Sequence, residues 1–217
     1  MKPTGSGSEI VDQRVRRLTH GLTLFMRWVS RHWLFLTNVS LSLYGGLPAL
    51  APVLMAAGYP RAAGVIYLIF RPFCHQLPER SFFLFGRQWV YSLEELGRLL
   101  GGSVPLRYNG APGIGFKVAV CERDVAIYLA MLLTGLAFVW LRRRLKPLPI
   151  KAFVALCVPM GVDGLGQLFG LWTSTWWSRL ITGSVFGLAC VWLAYPYLEQ
   201  GMREVNQEMS IALRDWK

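Results

Sequence analysis

A chain of 217 residues is long enough for one compact bundle and requires no second domain. Apolar side chains make up 53% of it and charged ones only 16%, against about 25% charged in a typical soluble domain, which argues against a dissolved globular surface. The net charge of +11 lies in basic clusters separated by long apolar runs, with no nucleic-acid-binding module in view, so the expected partner is the lipid bilayer and not a nucleic acid.

Residues 1–8 read as a polar tail. Residues 9–32 read as an amphipathic helix: Val11, Val15, Leu18, Leu22, Phe25 and Val29 recur at spacings of three and four and share one face, while Arg14, Arg17, Arg27 and Arg31 lie mostly off it. Such a helix either lies in the bilayer interface or packs on the bundle. His20 and His32, within it, are expected to face headgroups rather than ligate haem. The segment lacks a short apolar core followed by a small-residue cleavage site, so it is expected to be retained.

Residues 33–57 are almost free of charge and long enough to cross about 30 Å of hydrocarbon, with Pro48 and Pro52 expected to bend them. Residues 62–73, interrupted by Arg71 and Pro72, are marginal for a crossing and read as a short or re-entrant helix. The longest polar connection follows. Within it, Ser92-Leu93-Glu94-Glu95 has the form of a helix start with a capping acid, and the Gly- and Pro-rich stretch 101–115 is expected to be loop. Residues 125–141, 150–171 and 180–198 read as further spans, and 199–217 as a polar tail that a helix would suit.

The expected fold is therefore all-α: a polytopic transmembrane helical bundle of about four full spans, one short or re-entrant helix and an N-terminal amphipathic helix. It divides into a tail and amphipathic helix (1–32), a single transmembrane domain (33–198) with a polar insertion at about 76–120, and a polar C-terminal tail (199–217). The positive-inside rule puts the N-terminal arginines and the Arg142, Arg143, Arg144 and Lys146 cluster in the cytoplasm. Both termini are then cytoplasmic, residues 62–73 do not cross, and Trp172, Trp176 and Trp177 sit in the outer aromatic belt.

This topology brings distant polar residues to one depth on the outer side. His75, Gln76, Glu79, Arg80, Arg123, Asp163, Gln167 and Arg179 form the candidate polar site. A carboxylate inside a membrane is expensive unless paired or hydrated, so Asp163 needs a counter-ion, either Arg179 or Arg123. Gln167, one turn on, faces the same way. The pairing has two readings, a lock between helices or a role in proton or ion handling. Glu79 and Arg80 read as an interfacial ion pair or as a fork for a lipid phosphate. Cys74, His75, Cys121 and Asp124 offer ligands for zinc or another soft metal, while a Cys74–Cys121 disulfide and unpaired packing thiols are the competing readings. Cys157 and Cys190, inside spans, read as apolar fillers, and Gly183 and Gly187 as a small-residue packing pair. No phosphate-cradling loop, nucleophile elbow or zinc-protease motif is present.

At these same residues a family resemblance emerges. Cys74-His75-Gln76 with Pro78-Glu79-Arg80-Ser81-Phe82 resembles the opening signature of a family of prokaryotic membrane proteins known as domain of unknown function family 2085. Its second signature is similar to Cys-x-Arg-Cys followed by Gly-x-Tyr; this chain has Cys121-Glu122-Arg123-Asp124-Val125-Ala126-Ile127-Tyr128. Its third is similar to Asp-Gly-x-x-Gln with a later Arg and Gly, met here by Asp163-Gly164-Leu165-Gly166-Gln167, Arg179 and Gly183. The resemblance spans roughly residues 62–190. It implies a small helical protein of a prokaryotic inner (plasma) membrane whose polar motifs belong together, and it implies no activity. Asp124 stands where the pattern has its second Cys, Ala126 where it has Gly, and the stretch between the first two motifs is longer. An extra exposed segment of that kind often serves a partner.

The functional expectation is an accessory or binding subunit of a larger membrane complex with a polar site at the extracytoplasmic interface. The alternatives are a membrane enzyme or metal/redox protein acting on a lipid, quinone or metal ion, and a small transporter.

Overall fold

The structure is a computed structural model that describes residues 7–214, with side chains described from Val11 onward. Among the described residues, four helices are long and apolar enough to cross a membrane: α1 (Gly7–Ala56), α4 (Glu122–Leu141), α5 (Ile150–Leu168) and α6 (Trp176–Arg214). Between the first two come α2 (Pro60–Phe70), β1 (Phe83–Leu84), α3 (Leu93–Leu100), β2 (Gly110–Ala111) and β3 (Gly115–Lys117). The chain is a membrane protein built as a helical bundle with a small extramembrane insertion.

The amphipathic stretch and the first apolar stretch are one helix, with no break near residue 32. At 1.5 Å per residue it runs about 75 Å, more than twice the hydrocarbon thickness, so it extends well past a single crossing, and Thr23 and Ser30 in its basic first half are buried. His32, in that stretch, is exposed; it stacks on Trp28 and bonds that residue's carbonyl at 2.9 Å. The C-terminal stretch is likewise the continuation of α6. The prolines inside these helices have a use. Pro52 lacks the N–H that would bond the Pro48 carbonyl, and that carbonyl accepts the Ala119 N–H at 3.1 Å instead. Pro196 frees the Trp192 carbonyl in the same way, and the Leu148 N–H takes it at 3.4 Å.

Helix α2 does not cross the bundle. It leaves the end of α1, packs Phe70 against Tyr44 (ring centroids 5.1 Å apart), and hands the chain back to Cys74, which touches Cys121 at the start of α4. The insertion has its own core of Phe83, Tyr91 and Leu96. Ser92 and Glu95 cap α3 reciprocally, at 3.1 and 2.8 Å, as their spacing predicts. The stretch 101–115 is not all loop: β2 and β3 form a short hairpin, and β1 pairs with β3, giving strand order β1-β3-β2. The glycines read as loop signals serve the hairpin; Gly115 sits at φ 99°, where a side chain would meet the Leu84 carbonyl at 2.7 Å.

Gly183 and Gly187 bring α6 against α4. A Cβ at Gly183 would fall 2.8 Å from the Arg123 carbonyl, and one at Gly187 would fall 2.5 Å from that of Ile127. Gly187→Val is expected to cost about 1–3 kcal/mol, as overpacking does, read as a lowered unfolding midpoint in detergent. Gly201→Ala, where nothing lies within 4 Å, is the control and should change little. The opposite faces, with Leu129, Leu133 and Leu136 on α4 and Val154, Val158 and Leu165 on α5, are exposed as lipid-facing surfaces.

Candidate functional site

At one end of the bundle α1 and α5 finish while α4 and α6 begin, so four chain segments far apart in sequence deliver polar side chains to one level. Helix α4 opens with Glu122 and Arg123. Consecutive helical residues point about 100° apart, so the two reach different neighbours. Arg123 turns to α5 and forms an ion pair with Asp163. Glu122 turns to α6 and takes Arg179 at 2.9 Å.

Asp163 is buried and multiply bonded. Besides Arg123 it accepts Ser174 Oγ at 2.9 Å, Gln167 Nε2 at 3.2 Å and Ser178 Oγ at 3.4 Å. Ser174 ties the two pairs together, because its carbonyl accepts Arg179 Nη2 at 2.6 Å. Of the two counter-ions the sequence allowed, Arg123 is therefore the one used. Arg179 serves Glu122, a residue the sequence reading passed over although it is fully buried. A lone acid beside an arginine at a helix start looks like surface charge until both neighbours are known.

The second cluster is sulfur-based. The Cys121 N–H donates to Cys74 Sγ at 3.2 Å, and Cys121 Sγ donates to Asp124 Oδ2 at 3.2 Å. Both thiols are free. One ligand atom from each of Cys74, Cys121 and Asp124 lies within 4.8 Å of the others. His75, expected as a fourth ligand, is exposed and not part of that group among the described residues. Hydrogen bonding from Cys121 lowers the Cys74 thiol below its ordinary value despite burial, whereas Cys121 is pushed up by its bond to Cys74 and by burial.

A cavity of about 590 Å³ opens onto this cluster. Cys74, Cys121 and Asp124 line it, as do His75, Gln76, Arg80, Arg123 and Gln167. Asp163 and Arg179 stand behind the wall they brace, and Glu79 is not in the lining. Glu79 and Arg80 do not pair; the ion pairs among the described residues are Arg123–Asp163, Arg179–Glu122 and Arg203–Glu199.

Residues 114–193 match the family described as "Predicted membrane protein (DUF2085)". The family resemblance is met, and the matched residues hold its second and third motifs. The chain is also similar to an uncharacterized protein of Methanocaldococcus jannaschii, 29% identical over 133 residues, which cover 60% of this chain and 67% of that one. No solved structure matches.

The stretch matched to DUF2085 holds both ion pairs, Cys121, Asp124 and the glycine contact, while Cys74 through Arg80 lie before it. Where the second signature departs, the geometry accommodates it. Ala126, in place of Gly, lies 3.1 Å from where a Gly183 Cβ would be, a close approach that glycine at 183 leaves open. Asp124, in place of Cys, keeps an acceptor beside Cys121. The matched stretch also contains Lys117, which no motif singled out. It is 1% exposed, its Nζ donates to the Gln76 carbonyl at 2.6 Å, and burial pushes its ammonium down to about 8. Gln76 sits at φ 54°, its amide bonded to the Tyr67 carbonyl at 2.8 Å.

Proposed function

We propose that this chain is a metal-binding protein of a prokaryotic plasma membrane, with both termini cytoplasmic and the site at the extracytoplasmic end. The ligands are Cys74, Cys121 and Asp124, and the ion is of the zinc class. The observation that carries this reading is the convergence of two thiols and a carboxylate within 4.8 Å at the mouth of a polar cavity. Two sulfurs favour a soft or borderline ion over magnesium or calcium, and three protein ligands leave a fourth position facing the cavity. Arg80 and Arg123 in the lining suit an anionic group on whatever reaches that position.

A second reading is an accessory subunit of a larger membrane complex. It is favoured by the insertion, which leaves Phe85, Trp89 and Leu106 more than 60% exposed outside the long helices. The two readings are compatible, since a partner could cover the cavity mouth.

Elemental analysis after zinc loading in mild detergent should return about one equivalent per chain, and Cys74→Ser or Cys121→Ser should lower affinity by ~100-fold. Absence of metal, with two thiols appearing only after reduction, would make the pair a disulfide staple instead.

A further inference from the structure

We propose a second, separate ligand site: a pocket for a phosphate-class anion between the end of α2 and the insertion hairpin. The pocket is a cavity of about 210 Å³ whose wall includes Arg71, His75, Arg107, Asn109, Lys117 and Tyr67. These come from four places in the chain: α2 itself, the turn and segment after it, the loop before β2, and the last residue of β3. No Asp or Glu lines it, and none of its basic residues takes part in an ion pair among the described residues. Cys74 and, more weakly, Glu79 act electrostatically on Lys117, both from outside the lining.

Lys117 is the observation that points to a ligand rather than to a solvated basic surface. An ammonium is strongly hydrated, and burying one without a counter-ion is expensive. This one is 1% exposed, donates to the Gln76 carbonyl, and lies 5.8 Å from the centre of the Tyr67 ring. The Tyr67 hydroxyl in turn donates to the Lys117 carbonyl, so the side chain that flanks the ammonium also fixes its backbone. The fold thus holds a buried positive charge in place with donor capacity to spare, next to two exposed guanidinium groups and the Asn109 amide. Guanidinium forks match a tetrahedral oxyanion, and an ammonium adds a point charge to it. The site stands beside a helix too short to cross, at the end of the bundle where α4 begins, so the phosphate has two possible sources: an anionic lipid headgroup or a free phosphate.

The test is calorimetric titration of the full chain in dodecyl maltoside with three probes: inorganic phosphate, a short-chain phosphatidylglycerol, and a short-chain phosphatidylcholine whose choline offsets the charge. Arg71 and Arg107 are exposed, so Arg71→Ala and Arg107→Ala should fold, and each should weaken binding by ~10-fold. Cys121→Ser should leave binding intact, which keeps this site distinct from the metal site. Binding of inorganic phosphate identifies a free-phosphate site. Binding of phosphatidylglycerol alone identifies a headgroup site. The proposal is overturned if neither inorganic phosphate nor phosphatidylglycerol binds the unmodified chain, if phosphatidylcholine binds as tightly as phosphatidylglycerol, or if the Arg71→Ala/Arg107→Ala double variant binds as tightly as the unmodified chain.

Discussion

Arg179→Met is expected to be the most damaging single change in this protein, lowering stability by about 3–5 kcal/mol. Glu122 has no exposed surface, and its Oε2 accepts from Arg179 at 2.9 Å. Removing the guanidinium strands a carboxylate that water cannot reach and leaves the Ser174 carbonyl without its donor at 2.6 Å. Unfolding in detergent, followed by far-UV circular dichroism against denaturant, should show the loss. The pair itself need not be net stabilising, since two charges had to be dehydrated to form it. Glu122→Gln combined with Arg179→Met should therefore recover more than half of the loss. A single Arg179 variant as stable as the unmodified chain would mean that Glu122 is solvated or protonated.

Asp163→Asn is expected to cost less, about 2–3 kcal/mol, and to change the cavity as well. The amide keeps the shape of the carboxylate and can still accept from Ser174 or Ser178. What it cannot do is balance Arg123, whose side chain is 18% exposed toward the cavity and can recover part of its solvation there. Arg123 is also a cavity-wall residue, so loosening it should alter ligand affinity with the fold intact. The comparison is informative because both variants break a buried pair on the same helix turn. If Asp163→Asn proved as costly as Arg179→Met, exposure of the stranded partner would not be what sets the cost.

Much of the bundle was legible because membrane helices advertise themselves by length and lack of charge, and α4 and α5 begin within three residues of where hydropathy placed them. What hydropathy does not mark is where a helix stops once it leaves the apolar region. Arg14 to Arg31 and Glu199 to Glu208 are good helix formers in water, so α1 and α6 continue through segments that read as separate elements. The small hairpin was missed because its strands are two and three residues long, too short for any alternating pattern.

At the site, single residues that violate expectation were readable: Asp163 by its cost in a membrane, Cys74 and Cys121 by their rarity. Partners were not. Glu122 resembles a solvated charge, Ser174 resembles a turn residue, and Lys117 resembles an insertion lysine until the fold buries each of them. Their roles depend on which helices meet, and that information lies in packing.

The most direct test of the metal site is X-ray absorption spectroscopy of the zinc-loaded, detergent-purified chain. Two sulfur scatterers are expected at about 2.3 Å and lighter oxygen or nitrogen neighbours at about 2.0–2.2 Å, with one sulfur lost in Cys121→Ser. A zinc shell of oxygen and nitrogen alone would show that Cys74 and Cys121 do not hold the ion, and would contradict the assignment.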